Sequence, residues 1–152
     1  MGGAAIGVSL LARYAAICSM RVPVVLLALP VLTAFSRTTV LVALRFLPYA
    51  RVEGGIISAP RKGPHSRGRL ALAVAVILVV SVLLPIPTAV ALLVLVAFWR
   101  LSWKRIGGCT GDVLGASIEI AEILFLVALA GLDHLGASLG LFYPWLTLLS
   151  WA

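Results

Sequence analysis

The chain has 152 residues, 62% of them hydrophobic and 11% charged, with a mean hydropathy of +1.17. A soluble domain carries about 25% charged residues and is at most about half apolar, so this composition excludes a water-soluble globular protein and predicts an all-α, polytopic membrane helix bundle. The formal net charge of +7 does not signal nucleic acid, because no basic motif with interleaved aromatics accompanies it and membrane proteins gather Lys and Arg in cytoplasmic loops.

The first twelve residues carry no positive side chain, and Arg13 falls inside an apolar run, which is not the pattern of a signal peptide. Met-Gly-Gly-Ala-Ala-Ile also lacks the Ser or Thr of a myristoylation signal. The run 4–20 predicts a first helix near the lower spanning limit of about 17 residues. After a break at Arg21–Pro23, a second helix is expected to about Leu47, with Pro23 in its first turn, Arg37 inside it and Arg45 near its end. Residues 49–69 mix Gly, Pro and Ser with Arg51, Arg61, Lys62, Arg67 and Arg69, and read as the main polar loop. Leu70 to Trp103 predicts a hairpin of two short helices broken at Pro85-Ile86-Pro87, closed by a second basic cluster at Arg100, Lys104 and Arg105. A fifth helix is expected to about Leu132. The apolar tail 133–152 ends in a short segment whose Trp145 and Trp151 suit an interfacial or re-entrant position. The expectation is thus about five spanning helices and one short C-terminal segment. Both basic loops then share one side, which the positive-inside rule assigns to the cytoplasm.

Chemistry concentrates in residues 107–122, GGCTGDVLGASIEIAE, where Asp112, Glu119 and Glu122 sit in a helix otherwise apolar enough to cross a bilayer. Acidic groups in hydrocarbon are costly and need a reason. At about 100° per residue, Asp112 and Glu119 lie about 20° apart around the axis, and Glu122 about 60° from Glu119, so the three share one stripe. Thr110 is placed to cap this helix, and Asp112 in its first turn complements the helix dipole. Glu119 and Glu122 need a polar cavity or an intramembrane arginine. Arg37, in Phe-Ser-Arg-Thr-Thr, is the obvious partner; it could instead contact a phosphate or pyrophosphate, or snorkel to the interface. Arg51 and Glu53 lie at the membrane boundary and read by default as a solvated pair. The loop cations Arg61, Lys62, Arg67 and Arg69 read as a topology signal or lipid contact. His65 and His134 have no second histidine at ligand spacing, and Cys18 and Cys109 form no CxxC, so neither pair suggests a metal site. One stripe of carboxylates does not supply the converging oxygens of a cation site.

The run Gly107-Gly108-x-Thr110-Gly111-Asp112-x-Leu114-Gly115-Ala116, followed by Glu119 and Glu122, closely resembles the C-terminal signature of the cobalamin synthase family, the adenosylcobinamide-GDP ribazoletransferases. Ser36-Arg37 in a membrane helix and Tyr49-Ala50-Arg51-x-Glu53-Gly54 at its exit agree in order and spacing, and the resemblance covers about residues 5–132. It implies an integral protein of the bacterial cytoplasmic (inner) membrane. It also implies a magnesium-dependent transfer, late in vitamin B12 synthesis, that joins adenosylcobinamide-GDP to α-ribazole or its 5′-phosphate with release of GMP. On that basis Arg37, Arg51, Glu53, Thr110, Asp112, Glu119 and Glu122 are the candidates for substrate or phosphate binding. The family's aspartate-rich motif, His-Leu-Asp-Gly with further spaced aspartates, has no counterpart, since the acids are Glu53, Asp112, Glu119, Glu122 and Asp133 alone. The expectation is a C-terminal part of such an enzyme, truncated or split, lacking the magnesium ligands, inactive alone and served by a separate N-terminal half. The competing expectation is a small ion-coupled transporter or membrane interaction subunit that uses the acidic stripe with Arg37.

Overall fold

A computed structural model of the protein describes residues 2–48 and 65–139, which form five α-helices and no strand. They are α1 (Gly2–Ser19), α2 (Val22–Phe46), α3 (His65–Leu83), α4 (Pro85–Ile106) and α5 (Gly111–Leu139). The breaks fall where the covalent chemistry demands them. Pro23 sits in the first turn of α2, and Pro85 and Pro87 open α4, positions where a missing N–H costs no helical bond. The α3–α4 turn is closed by the buried Thr88 hydroxyl, which donates to the Leu84 carbonyl at 2.7 Å. Gly107 ends α4 in the left-handed region, at φ +80°, with its N–H on the Trp103 carbonyl at 3.0 Å.

The helix order follows the expectation, with two differences. The polar loop expected to run through residue 69 gives up its last five positions, because α3 already starts at His65. No proline or long apolar gap prevents the helix from extending upstream of Leu70. The fifth helix, expected to end near Leu132, continues without a break to Leu139, because Asp133 is buried and satisfied there instead of marking an end. The segment 140–152 lies outside the described residues.

Helix α5 packs against α4, α2 and α1, while α3 packs against α2 and α4. Helix α1 runs parallel to α5, because Ser9 and Arg13 meet Glu119 and Arg21 meets Asp133. Helix α2 runs antiparallel to it. The main core is a seam in which α2 presents Val24, Ala28, Leu32 and Phe35 every three or four residues to Ala121, Phe125 and Leu129 of α5. Phe35 and Phe125 meet with ring centroids 5.4 Å apart in a tilted arrangement. A smaller cluster of Ala43, Leu47, Cys109, Val113 and Leu114 closes the end where α2 leaves and α5 begins.

The outside is apolar too. Leu11, Leu26, Leu72, Val82 and Leu93 are all exposed, an arrangement that a bilayer tolerates and water does not. By length and composition, Val22–Phe46, Pro85–Ile106 and Gly111–Leu135 suffice to cross a membrane, while the apolar part of α1, Ile6–Ser19, is shorter.

Candidate functional site

The acidic stripe meets an arginine, and it is Arg13 of α1. One guanidinium nitrogen of Arg13 lies 2.6 Å from Glu119 Oε2, and the other lies 2.9 Å from Glu122 Oε2. The planar fork thus spans two carboxylates one helical turn apart, with a separate nitrogen for each. Ser9, one turn before Arg13, donates to Glu119 Oε2 at 2.8 Å, and Ser36 of α2 donates to Glu122 Oε1 at 2.9 Å. Three helices are therefore joined through two carboxylates about 12–17 Å along the α5 axis from its start. The side chains of Arg13 and Glu122 retain 22% and 16% exposure, whereas that of Glu119 retains 53%. Arg13 Nε is buried without a partner among the described residues. Two carboxylates thus share one guanidinium.

Arg37 was the expected partner and does not take that place. It is exposed and makes no ion pair among the described residues. The reason is angular: Ser36 points into the α2–α5 seam, and the next residue is turned about 100° away. The argument that singled out Arg37, a cation inside an apolar helix, applies equally to Arg13. The additional signal was Ser9, four residues earlier on the same face.

The second part of the site is the loop between α4 and α5. The Cys109 N–H donates to the Pro48 carbonyl at 2.8 Å, and Ser102 donates to the Gly108 carbonyl at 2.7 Å. Gly108 is required, because a Cβ there would collide with the Pro48 carbonyl. Thr110 caps α5 as expected: its carbonyl accepts from Leu114 N–H at 3.0 Å, and its hydroxyl from Val113 N–H at a long 3.4 Å. Asp112 is exposed in the first turn. Burial pushes the Cys109 thiol above its ordinary value, as expected for a group that cannot be solvated when ionised. Farther along α5, Trp99 Nε1 donates to Ser117, which donates to the Val113 carbonyl, so the α4–α5 contact leaves no polar atom of that chain unsatisfied.

Three stretches far apart in sequence thus converge. Ser36 reaches Glu122, and Pro48, the residue before Tyr49, locks onto Gly108 and Cys109. Thr110 and Asp112 stand at the same end, with the exposed cations Arg45, Arg67, Arg69, Arg100, Lys104 and Arg105 around it. Arg51 and Glu53 lie outside the described residues.

The described residues do not fit a magnesium ion. Glu119 and Glu122 are committed to Arg13 and Asp133 to Arg21, Asp112 stands by itself, and no three His, Cys, Asp or Glu side chains among the described residues are grouped to hold a metal. What the arrangement offers instead is positive charge at one end and a rigid scaffold beneath it.

Comparison with known proteins gives one family. The family model described as cobalamin-5-phosphate synthase matches residues 1–130. An adenosylcobinamide-GDP ribazoletransferase of Desulfitobacterium hafniense (strain Y51) is 33% identical over 129 residues, covering 78% of this chain and 48% of that protein. One from Clostridium novyi (strain NT) is 31% identical over 140 residues, covering 89% and 56% respectively. A third, from Klebsiella pneumoniae (strain 342), is 52% identical over 40 residues, 24% of this chain and 16% of the relative. The chain therefore spans about half the length, or less, of the curated relatives it matches. No solved structure matches it significantly.

Proposed function

The chain belongs to the cobalamin-5-phosphate synthase family, and from that premise we propose that it carries part of an adenosylcobinamide-GDP ribazoletransferase. The reaction transfers adenosylcobinamide phosphate from adenosylcobinamide-GDP to α-ribazole or its 5′-phosphate and releases GMP. The observation that carries this reading is the convergence of Ser36 on Glu122 and of Pro48 on Gly108 and Cys109. Two of the stretches that resemble the family, the one at Ser36 and the one at 107–122, become one structural unit, and Pro48, which precedes the third in sequence, is held against the same loop.

In this reading the chain supplies charge and position. A pyrophosphate substrate is drawn to the cationic end; Arg37, exposed beside the α2–α5 seam at membrane depth, has a guanidinium fork suited to phosphate oxygens, and Arg51, which follows α2 in the sequence, is a second candidate by residue type. Thr110 and Asp112 shape the floor at the start of α5. Arg13, Glu119 and Glu122 fix α1, α2 and α5 relative to one another, so that the floor does not shift as charge develops above it. The magnesium of the family needs several converging carboxylates, and among the described acids only Asp112 is free of an ion pair, so in this reading most of its ligands come from other polypeptide, such as a separate N-terminal half. The chain alone is then inactive. The half-exposed Glu119 and the exposed Arg37 support this, because charged groups at membrane depth require a covering partner or a water-filled cavity. The cationic end faces the cytoplasm of a bacterial inner membrane, by the excess of Lys and Arg there.

The test is restoration of cobalamin synthesis in a strain lacking the synthase. The chain alone gives none, whereas the chain expressed with the N-terminal half of the Desulfitobacterium relative gives cobalamin, and Arg37→Ala in that pair abolishes it. Cobalamin from the chain alone would overturn the need for outside carboxylates. A pair that inserts in the membrane and copurifies yet makes no cobalamin would sink the assignment.

A further inference from the structure

Helices α4 and α5 leave between them an open groove of about 420 Å³, lined by Val94, Ala97, Phe98 and Leu101 from α4 and by Ile120 and Leu124 from α5. It is independent of the Arg13 cluster and of the motif loop. The α4 residues recur every three or four positions, so they form one face, and the next two members of that face are Lys104 and Arg105. Both are exposed in the last turn of α4, beside the exposed Trp103, whose amphipathic ring suits the membrane boundary. Asp112, in the first turn of α5, is the one described carboxylate at this end, so cations outnumber it around the mouth. A hydrocarbon slot whose α4 face continues, one turn beyond Leu101, into two exposed cations next to an interfacial tryptophan has the chemistry of a lipid site with a defined headgroup charge.

We propose that this groove binds one phospholipid carrying an anionic headgroup, with an acyl chain along Val94, Ala97 and Leu101 and the phosphate on Lys104 and Arg105. A purely zwitterionic lipid would fill the slot but gain little at its mouth, because a neighbouring positive group cancels its phosphate. An anionic lipid gains roughly 1 kcal/mol per basic residue near the surface, which converts to about fivefold in retention for each cation.

The experiment uses the full chain purified in maltoside micelles, titrated with phosphatidylglycerol, phosphatidylcholine or glycerol 3-phosphate, and followed by native mass spectrometry and by the melting temperature. Phosphatidylglycerol is retained one per chain and raises the melting temperature, phosphatidylcholine is retained at least tenfold less, and glycerol 3-phosphate is not retained. Lys104→Gln/Arg105→Gln lowers phosphatidylglycerol retention by roughly tenfold or more, while the charge-matched control Arg67→Gln/Arg69→Gln lowers it by less than about twofold. Ala97→Phe, which fills the slot, lowers retention of both lipids. Circular dichroism confirms that each variant is folded. Equal retention of the two lipids overturns the proposal, as does an equal effect of the two charge pairs. A photoreactive side chain at Ala97 that crosslinks polypeptide instead of lipid in native membranes also overturns it, by making the groove a protein interface.

Discussion

Replacing Arg13 with glutamine removes the cation from between two carboxylates and keeps the side chain polar. Glu122, with 16% of its side chain exposed, is left with the Ser36 hydroxyl as its partner. Glu119, at 53% exposure, is left with Ser9. Exposed pairs contribute about 0–1 kcal/mol, and that range applies to Glu119. Breaking a buried pair costs about 3–5 kcal/mol, because a charge remains without compensation, and the Glu122 pair lies nearer that limit. The expected loss is therefore about 3–4 kcal/mol, most of it from Glu122. It is read from SDS-titrated unfolding of the chain in maltoside micelles, followed by tryptophan fluorescence and circular dichroism. The double variant Arg13→Gln/Glu122→Gln removes the stranded charge and recovers at least about 1.5 kcal/mol, a coupling typical of residues in direct contact. A loss below about 1 kcal/mol for Arg13→Gln, or strict additivity in the double variant, would refute the view that this pair holds α1 to α5.

Three further outcomes follow from named contacts. Gly108→Ala pushes a methyl group into the Pro48 carbonyl and costs about 1–3 kcal/mol by overpacking, whereas Gly111→Ala, with nothing within 4 Å of the new atom, is neutral or stabilising in the same unfolding assay. Asp133→Asn weakens a nearly buried carboxylate that accepts from the Arg21 backbone at 3.0 Å and from its guanidinium at 2.6 and 2.9 Å, and lowers stability by about 2–3 kcal/mol. Cys109 is a buried thiol whose pKa lies above the ordinary 9.0, so the unfolded chain loses this proton before the folded one does. Its contribution is complete below about pH 9 and fades as the pH rises through the folded value. Unfolding midpoints measured between about pH 8 and 10.5 therefore fall more steeply in the native chain than in Cys109→Ser, and equal slopes would show that the thiol is not buried.

Much of the fold was legible because apolar length and proline position act locally. Pro23, Pro85 and Pro87 fix helix starts by removing N–H groups, whatever the rest of the chain does. The start of α3 at His65 was obscured by the polar, basic composition of residues 65–69, and the continuation of α5 past Leu132 depends on a tertiary partner. Asp133 reads as a helix stop until Arg21, 112 residues earlier, satisfies it. In the site, Thr110 as a cap and the shared face of Glu119 and Glu122 followed from helical geometry alone. The identity of their arginine did not, since Arg13 and Arg37 look equivalent in one dimension and only the rotation of Ser36 into the seam separates them.

The acidic helix thus divides into two kinds of carboxylate. Glu119, Glu122 and Asp133 each accept from a guanidinium, and they tie α5 to α1 and to the start of α2 along its length. A carboxylate held this way cannot give its lone pairs to a substrate cation without stranding an arginine in hydrocarbon, so these three act as the spine of the bundle. Asp112 differs. It is exposed, makes no ion pair among the described residues, and sits one turn from Gly108, which with Cys109 locks the loop to Pro48. Its charge is held by the N-terminal dipole of α5, which stabilises an anion without occupying its outward lone pairs. Among the described acids, Asp112 is therefore the one with acceptor capacity to spare at the end where phosphate chemistry is expected. The cluster of Arg13, Glu119 and Glu122, by contrast, is a feature of the scaffold.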